Sequence, residues 1–154
     1  LPVCIVLDNI RSAHNVGSIF RTADAFPIES IYLTGICATP PQKDVMKTAL
    51  GATETVQWKY FLNTVDALTD LKEKGFSIVA VEQVKQSEAL QAYMPSGKTA
   101  FVFGNEVSGV SADALEQCDK CIEIPQFGSK HSFNVAITAG MVLWDVFTKT
   151  KKHL

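Results

Sequence analysis

Little in this sequence marks a specialised polymer or a secreted mini-domain. Among 154 residues there are only 4 cysteines, 9 glycines and 6 prolines, which excludes a collagen-like repeat, a low-complexity chain and a disulfide scaffold. Positive charge is not in excess: 14 Lys plus Arg face 16 Asp plus Glu, a formal net charge of −2. A histone-like basic surface is therefore excluded, and any nucleic-acid contact must be focused on a local patch. Long apolar runs are missing too. The longest, near the C-terminus, is interrupted by Thr138 and Asp145 and falls short of the ~18 to 20 residues a bilayer requires, so no membrane partner is expected. The opening Leu1-Pro2-Val3-Cys4-Ile5-Val6-Leu7 has neither a basic flank nor a small-residue cleavage pattern and reads as a strand, not a signal peptide. It begins without an initiator Met, which suggests the catalytic piece of a longer protein that lacks its N-terminal extension.

The cysteines, Cys4, Cys37, Cys118 and Cys121, are scattered, which favours a reducing, cytoplasmic setting. Cys118-Asp119-Lys120-Cys121 has the spacing of half a zinc site, but no second pair stands at ribbon or finger spacing, and no metal is expected.

What is present is ordinary globular composition, 47% hydrophobic and 19% charged, enough for one packed domain over residues 1–154. Short apolar runs without alternation recur between helix-like segments, the pattern of an α/β fold whose parallel sheet is covered by helices on both faces. The expected strands are Val3 to Leu7, Ser30 to Thr34, Thr55 to Trp58, Ser77 to Glu82, Thr99 to Phe103 and Cys121 to Ile124. Val16, Ile19, Phe20 and Ala23 fall on one helical face, with Arg21 on the other side. A helix from Thr64 to Lys74 should end at Gly75, a residue suited to a left-handed turn. From Val135 to Phe147 eleven of thirteen residues are apolar or Gly. Such a helix packs one side on the sheet and needs a second apolar surface for the other; another copy of the chain supplies one, so a homodimer is expected, the alternative being a helix fully enclosed within the monomer, which periodicity does not distinguish.

Ligands of α/β domains bind beyond the carboxyl ends of the strands, and three polar stretches lie there. They are Asp8 to Arg21, Gly104 to Val110, and Pro125 to Asn134. Familiar motifs fail on them. Gly17 has no partners for G-x-G-x-x-G; Gly104 and Gly109 have phosphate-loop spacing, but Val110-Ser111 replaces the Lys-Ser/Thr; Ser108 is preceded by Glu106 where a nucleophile elbow needs Gly. An ordinary dinucleotide site, kinase-like ATP chemistry and a serine hydrolase are thereby set aside.

Read together, the stretches are Asn15-x-Gly17-x3-Arg21, Gly104-Asn105-Glu106-x2-Gly109 and Ile124-Pro125-x2-Gly128-x3-Ser132-Phe133-Asn134-Val135. In this order the chain resembles the SpoU (TrmH-type) branch of the SPOUT methyltransferases over nearly its whole length. Phe133 departs from the pattern, since the family usually carries Leu there; an apolar side chain is kept, so a reshaped pocket is expected. The resemblance implies transfer of methyl from S-adenosyl-L-methionine to a ribose 2′-hydroxyl of RNA. It also implies a C-terminal trefoil knot and dimer formation through the knotted region; neither periodicity nor spacing reveals the knot.

The resemblance casts Asn15, Arg21, Glu106, Ser132 and Asn134 as catalytic residues, and places the cofactor against Val81, Glu82, Gly104, Ile124 and Phe133. Physical chemistry refines these roles. Arginine is a poor general base, so Arg21 suits gripping a phosphate or a developing alkoxide. Asn15 sits where a helix begins and has N-cap chemistry. Glu106 can charge a helix start or orient Arg21 or the nucleotide. Of Ser132 and Asn134, one can cap the last helix while the other points into the crevice. Gly104 lets backbone approach a flat ligand. For RNA, the positive charges near the motifs are Arg11, Arg21, Lys43, Lys47 and Lys130, with a basic tail of Lys149, Lys151 and Lys152; His14 and His131 suit RNA contact better than catalysis. The motif wording looks closest to the tRNA-modifying subgroup, which makes tRNA the expected substrate and ribosomal RNA the alternative. A non-catalytic RNA-binding or assembly module of the same fold and an unrelated α/β ligand-binding domain are the competing readings.

Overall fold

Apolar strands without alternation must be covered on both faces, and the computed structural model, which describes residues 1–130 and 132–151, supplies both covers. Seven strands form one sheet: β1 (Val3–Asp8), β2 (Ser30–Thr34), β3 (Trp58–Phe61), β4 (Ser77–Val81), β5 (Glu88–Ala89), β6 (Thr99–Phe103) and β7 (Lys120–Glu123). Their spatial order is β3-β2-β1-β6-β4-β7-β5, and every pair is parallel. The helices are α1 (Ala13–Ala25), α2 (Lys43–Ala49), α3 (Thr64–Glu73), α4 (Ala112–Glu116) and α5 (Val135–Thr150).

Successive side chains of a strand alternate between faces, so each apolar run serves two cores. Ile5, Leu7, Ile31, Leu33, Phe101 and Phe103 pack with Phe20 of α1 and Leu143 of α5, whereas Cys4, Val6, Ala100 and Val102 pack with Leu68 and Leu71 of α3. Both layers are fully inside: all of β1 and β6 is buried. This confirms the expected α/β architecture.

α3 ends as expected. Gly75 takes φ +88°, its N–H donates to the Lys72 carbonyl, and the Phe76 N–H donates to the Leu71 carbonyl. Those two bonds form a Schellman motif, with Phe76 and Leu71 buried in the same core.

The third strand is displaced. It was expected at Thr55 to Trp58 but runs Trp58–Phe61, because a short 3-10 turn, Ala52–Glu54, uses the preceding backbone and the Val56 N–H bonds back to the Ala52 carbonyl. β4 stops one residue earlier than expected, and β7 starts and stops one residue earlier. The short α2, α4 and β5 carry too few residues for a periodic signal. α2 nonetheless explains Gly17 of the first motif: a Cβ there would overlap Thr48 Oγ1 and the Val45 carbonyl, so the glycine is what lets α1 lie against α2.

Beyond the carboxyl ends of β1 and β2 lies a buried polar cluster. Asp8, 1% exposed, accepts hydrogen bonds at Oδ1 from Thr64 Oγ1 (2.6 Å) and Asn9 Nδ2 (2.9 Å), and at Oδ2 from the Ser111 N–H (2.7 Å). Thr34 Oγ1 lies 2.6 Å from Thr64 Oγ1 and 3.0 Å from the Leu7 carbonyl. Because Thr64 gives its single proton to the carboxylate, the one proton of Thr34 lies toward Thr64 and is shared with the Leu7 carbonyl, so the hydroxyls point in sequence toward Asp8. Asn9 holds φ +56° and accepts from the Ile36 N–H, while Asn105 Nδ2 donates to its carbonyl at 2.7 Å. One carboxylate thus ties β1 to the starts of α3 and α4, and through Asn9 to the loops after β2 and β6.

Replacing Asp8 by Asn puts an NH2 group against at least one donor. Asp8→Asn is expected to lower unfolding free energy by about 2 kcal/mol in urea titrations, whereas exposed Asp66→Asn should leave the midpoint in place. Equal midpoints for Asp8→Asn and the parent chain would remove Asp8 from this role.

Candidate active site

The loops after β4, β6 and β7 and the start of α5 surround a cavity of about 830 Å³. Its walls include Val81 and Glu82, the stretch from Phe103 to Gly109, Glu123 and Ile124, and the stretch from Ser132 to Val135. The second and third sequence motifs therefore meet in one place. All five residues assigned to the cofactor line this cavity, and so do Glu106, Ser132 and Asn134.

The second motif folds back on itself. Asn105 and Gly109 exchange backbone hydrogen bonds at 3.0 and 2.9 Å, and Asn105 Oδ1 accepts from the Val107 and Ser108 N–H groups. The place where a Cβ of Gly104 would stand is filled by the backbone of Gly109 and Val110. Glycine is required at 104 so that the chain can pass itself, a different reason from the ligand approach expected. Gly109 takes φ +72° with the Glu82 carboxylate against it, and Glu82 Oε2 accepts from the Val110 N–H at 2.8 Å.

The first motif joins through two contacts. Glu106 Oε1 and Oε2 each accept a backbone N–H, from Arg11 and Ser12, both at 3.0 Å. Its carboxylate serves the start of α1, not the helix that follows it. Asn134 Nδ2 donates to Asn15 Oδ1 at 3.1 Å, while Asn134 Oδ1 caps α5 by accepting from the Ala136 and Ile137 N–H groups. Ser132 makes no capping bond and faces the cavity.

Several expectations change. Asn15 is not an N-cap: Ser12 caps α1, its Oγ accepting the Asn15 N–H at 3.2 Å, because the helix begins two residues before Asn15. Arg21 is exposed, is absent from the cavity wall, and among the described residues has no side-chain hydrogen bond or ion pair. Lys149 is not part of a free basic tail. Its ammonium is paired with Asp145 at 2.5 Å and donates to the Leu90 and Tyr93 carbonyls, both at 2.8 Å, so it staples α5 to the turn after β5. Arg11, Lys43, Lys47 and Lys130 are exposed, and His14 sits 3.4 Å from Asp44. His131 and Lys152 lie outside the described residues. Burial pushes the Cys118 thiol up to about 12 and that of Cys121 upward. Cys118 Sγ donates to the Ala114 carbonyl. Asp8 and Asn105, which hold the loops together, were given no role, although Asn105 stands in the second motif; for Asp8, an Asp closing an apolar strand just before a polar stretch was the available signal.

Charge is separated across the site. Glu82, Glu106 and Glu123 line the cavity and, among the described residues, no Lys or Arg does, whereas Arg21, Lys43 and Lys47 stand on the outer surfaces of α1 and α2. The cavity suits a ligand with positive charge and a flat apolar part, which Ile124 and Phe133 can flank.

Comparison with known proteins agrees with this geometry. The profile of the SpoU rRNA Methylase family matches residues 2–144. A 23S rRNA (guanosine-2′-O-)-methyltransferase RlmB of Neisseria meningitidis is 35% identical over 142 residues, which cover 92% of this chain and 56% of that protein. A putative TrmH family tRNA/rRNA methyltransferase of Staphylococcus saprophyticus is 30% identical over 97% of this chain and 59% of its own. The chain thus spans somewhat over half the length of these relatives. Among solved structures, the A. aeolicus TrmH/SpoU tRNA modifying enzyme superposes with a TM-score of 0.86 at 30% identity, covering 97% of this chain and 76% of the other. An AdoMet-bound rRNA methyltransferase from Sinorhizobium meliloti superposes with a TM-score of 0.88 at 25% identity, covering 97% and 56%. With three collinear motifs gathered on one parallel sheet and a profile match along almost its full length, this chain belongs to the SpoU methylase family.

Proposed function

We propose that the chain is the catalytic domain of an S-adenosyl-L-methionine-dependent RNA 2′-O-ribose methyltransferase, working in the cytoplasm. The observation that carries this reading is the convergence of all three motifs: the second and third line one cavity, and Glu106 and Asn134 bind the first to it. The cofactor named for the Sinorhizobium meliloti structure fits the chemistry of the wall. Three carboxylates suit its cationic groups, Ile124 and Phe133 suit its adenine, and the 104–109 backbone offers polar groups at close range. When bound, S-adenosyl-L-methionine supplies an electrophilic methyl group on a sulfonium.

The protein's own contribution is chiefly orientation, which can be worth ~7 to 11 kcal/mol when reactants are held in attack geometry. Glu106 is a positioning residue that fixes the backbone of Arg11 and Ser12. The Asn15–Asn134 bond sets the angle between α1 and α5 at the cavity rim, and Ser132 is free to meet the ribose. Arg21 grips a phosphate or the developing alkoxide, and the hydroxyl proton leaves to the RNA or to solvent.

A homodimer belongs to this reading, as does the threaded knot implied by family resemblance. Ile137 is 58% and Trp144 56% exposed on α5, next to Phe26, whose ring lies 6.2 Å from that of Trp144. An apolar helix face of this kind calls for a matching surface. Since Arg21 is outside the cavity wall of its own chain, a second copy is also the route by which it reaches a cavity.

Relatives named for 23S rRNA weigh more than motif wording, so ribosomal RNA is the first substrate to test and tRNA the second. Labelled-methyl transfer to unmodified transcripts of each, followed by nucleoside analysis, is expected to yield a 2′-O-methyl nucleoside. Arg21→Ala should cut transfer at least 100-fold while calorimetry shows S-adenosyl-L-methionine binding within about twofold of the parent; equal turnover would take Arg21 off the catalytic list. No transfer to any RNA by a chain that binds RNA would favour the non-catalytic module.

Sedimentation at micromolar concentration is expected to show a dimer for the parent chain and a monomer for Trp144→Glu, because a charge in a buried apolar contact is costly. A monomeric parent would defeat the dimer.

A further inference from the structure

Two apolar side chains stand almost fully in solvent at the cavity. Phe127 is 96% exposed and Val107 88%, the two highest values among the large apolar residues described. Single exposed hydrophobics scattered over a surface need no explanation. These two are not scattered: they come from the loops after β7 and β6, and both loops line the cavity, one through Val107 itself and the other through Gln126.

Among the described residues nothing packs on the Phe127 ring. Its neighbours Gln126, Gly128, Ser129 and Lys130 are polar or small, and among the described residues no backbone hydrogen bond ties residues 125–130 to the rest of the protein. At Gly128 no atom beyond its chain neighbours lies within 4 Å of where a Cβ would stand, so the loop next to Phe127 is itself open. Packing therefore does not account for an aromatic residue here.

Electrostatics narrows what could meet it. With Glu82, Glu106 and Glu123 in the cavity wall and no Lys or Arg among the lining residues, phosphate is repelled from the interior. A nucleotide delivered to this cavity must be gripped at its rim by something other than phosphate contacts. A base face on an aromatic ring is such a grip, and it tolerates any sequence. Lys130, exposed three residues further on, supplies a charge for the adjoining phosphate outside the acidic zone.

We propose that Phe127 is a stacking platform for an unpaired nucleobase of the RNA substrate, with Lys130 holding a neighbouring phosphate. This rests on the RNA-methylation reading above and adds to it a binding residue and a demand on the substrate: the nucleotide at the rim must be unstacked, as in a loop or bulge.

The test measures KM for RNA and kcat on the full chain at saturating S-adenosyl-L-methionine, with transcripts of 23S rRNA and tRNA as probes. Phe127→Ala is expected to raise KM for the methylated RNA about 10-fold, the size of one lost base stack. Its kcat, its thermal midpoint and its calorimetric affinity for S-adenosyl-L-methionine should stay within twofold. Phe127→Trp should restore KM, and Phe127→Leu, apolar but not flat, should not. Lys130→Ala should lower the slope of log affinity against log salt by about 1, while Phe127→Ala leaves that slope alone. Transfer by the parent chain with an unchanged KM in Phe127→Ala, or full rescue by Leu, overturns the stacking role and leaves the methyltransferase reading standing. Absence of transfer by the parent chain overturns both.

Discussion

The Asp8 carboxylate is the point through which the site is organised. A parallel sheet delivers its strand ends to one edge but leaves the loops beyond them without common support. Here two oxygens accept from a side-chain hydroxyl, a side-chain amide and a backbone N–H that come from α3, the first polar stretch and the start of α4. Such a network is worth keeping only when every member is satisfied, because a buried polar group without a partner costs more than an apolar one in its place. Thr34 and Thr64 complete it with one proton each. The loop after β6 is then held at both ends, by Asn105 on the Asn9 carbonyl and by Ser111 on Asp8.

Carboxylates recur as backbone clamps around the cavity. Glu82 takes the Val110 N–H and Glu106 takes those of Arg11 and Ser12. Loops that lack strand partners must satisfy their N–H groups somehow, and a carboxylate accepts two at once. The consequence reaches beyond structure. Clamping with acids gives the cavity negative charge, which favours a cationic ligand and disfavours a phosphate backbone. On the proposed methyl-transfer reading, donor and acceptor substrates are sorted by charge before any shape is read, since the exposed cations stand on α1, α2 and the 126–130 loop, away from the acidic wall.

Much of this was legible in the chain. β1, β2 and β6 are uninterrupted apolar runs, buried on both faces, and nothing competes with strand there. Gly75 announces the end of α3 because its positive φ is a local property of one residue. Thr55 to Trp58 has the same apolar look, yet its first half is taken by a turn after Gly51, φ +88°, whose outcome depends on the packing of Ala52 and Val56 against α1. The motifs showed most of the residues that gather, Arg21 excepted, but not how. Asn15 and Ser12 are equally good caps by chemistry, and only the helix start decides between them. Gly104 reads the same whether it makes room for a ligand or for Val110. Lys149 reads as tail charge until Asp145, one turn earlier, and the carbonyls of residues 90 and 93 are seen around it.

The faces of α1 account for the position of Arg21. Val16, Ile19, Phe20 and Ala23 point into the sheet, and Gly17 meets α2. Asn15, Thr22 and Phe26 form the stripe toward α5, through Asn134, the open side of Gly140 and the Trp144 ring. At about 100° per residue, Arg21 stands one turn beyond Gly17, on the α2 side, and so turns away from the stripe that borders the cavity. No rotamer of a solvent-facing arginine changes which side of the helix its Cα occupies. On the proposed reading, a guanidinium so placed serves chemistry only where another surface is brought to it, either an RNA that bridges the basic α1–α2 surface and the acidic cavity or a second copy that docks its own cavity there. The unpartnered apolar face of α5, adjoining the Phe26 end of the same helix, favours the second copy, since it has the hydrophobic area to hold one in place.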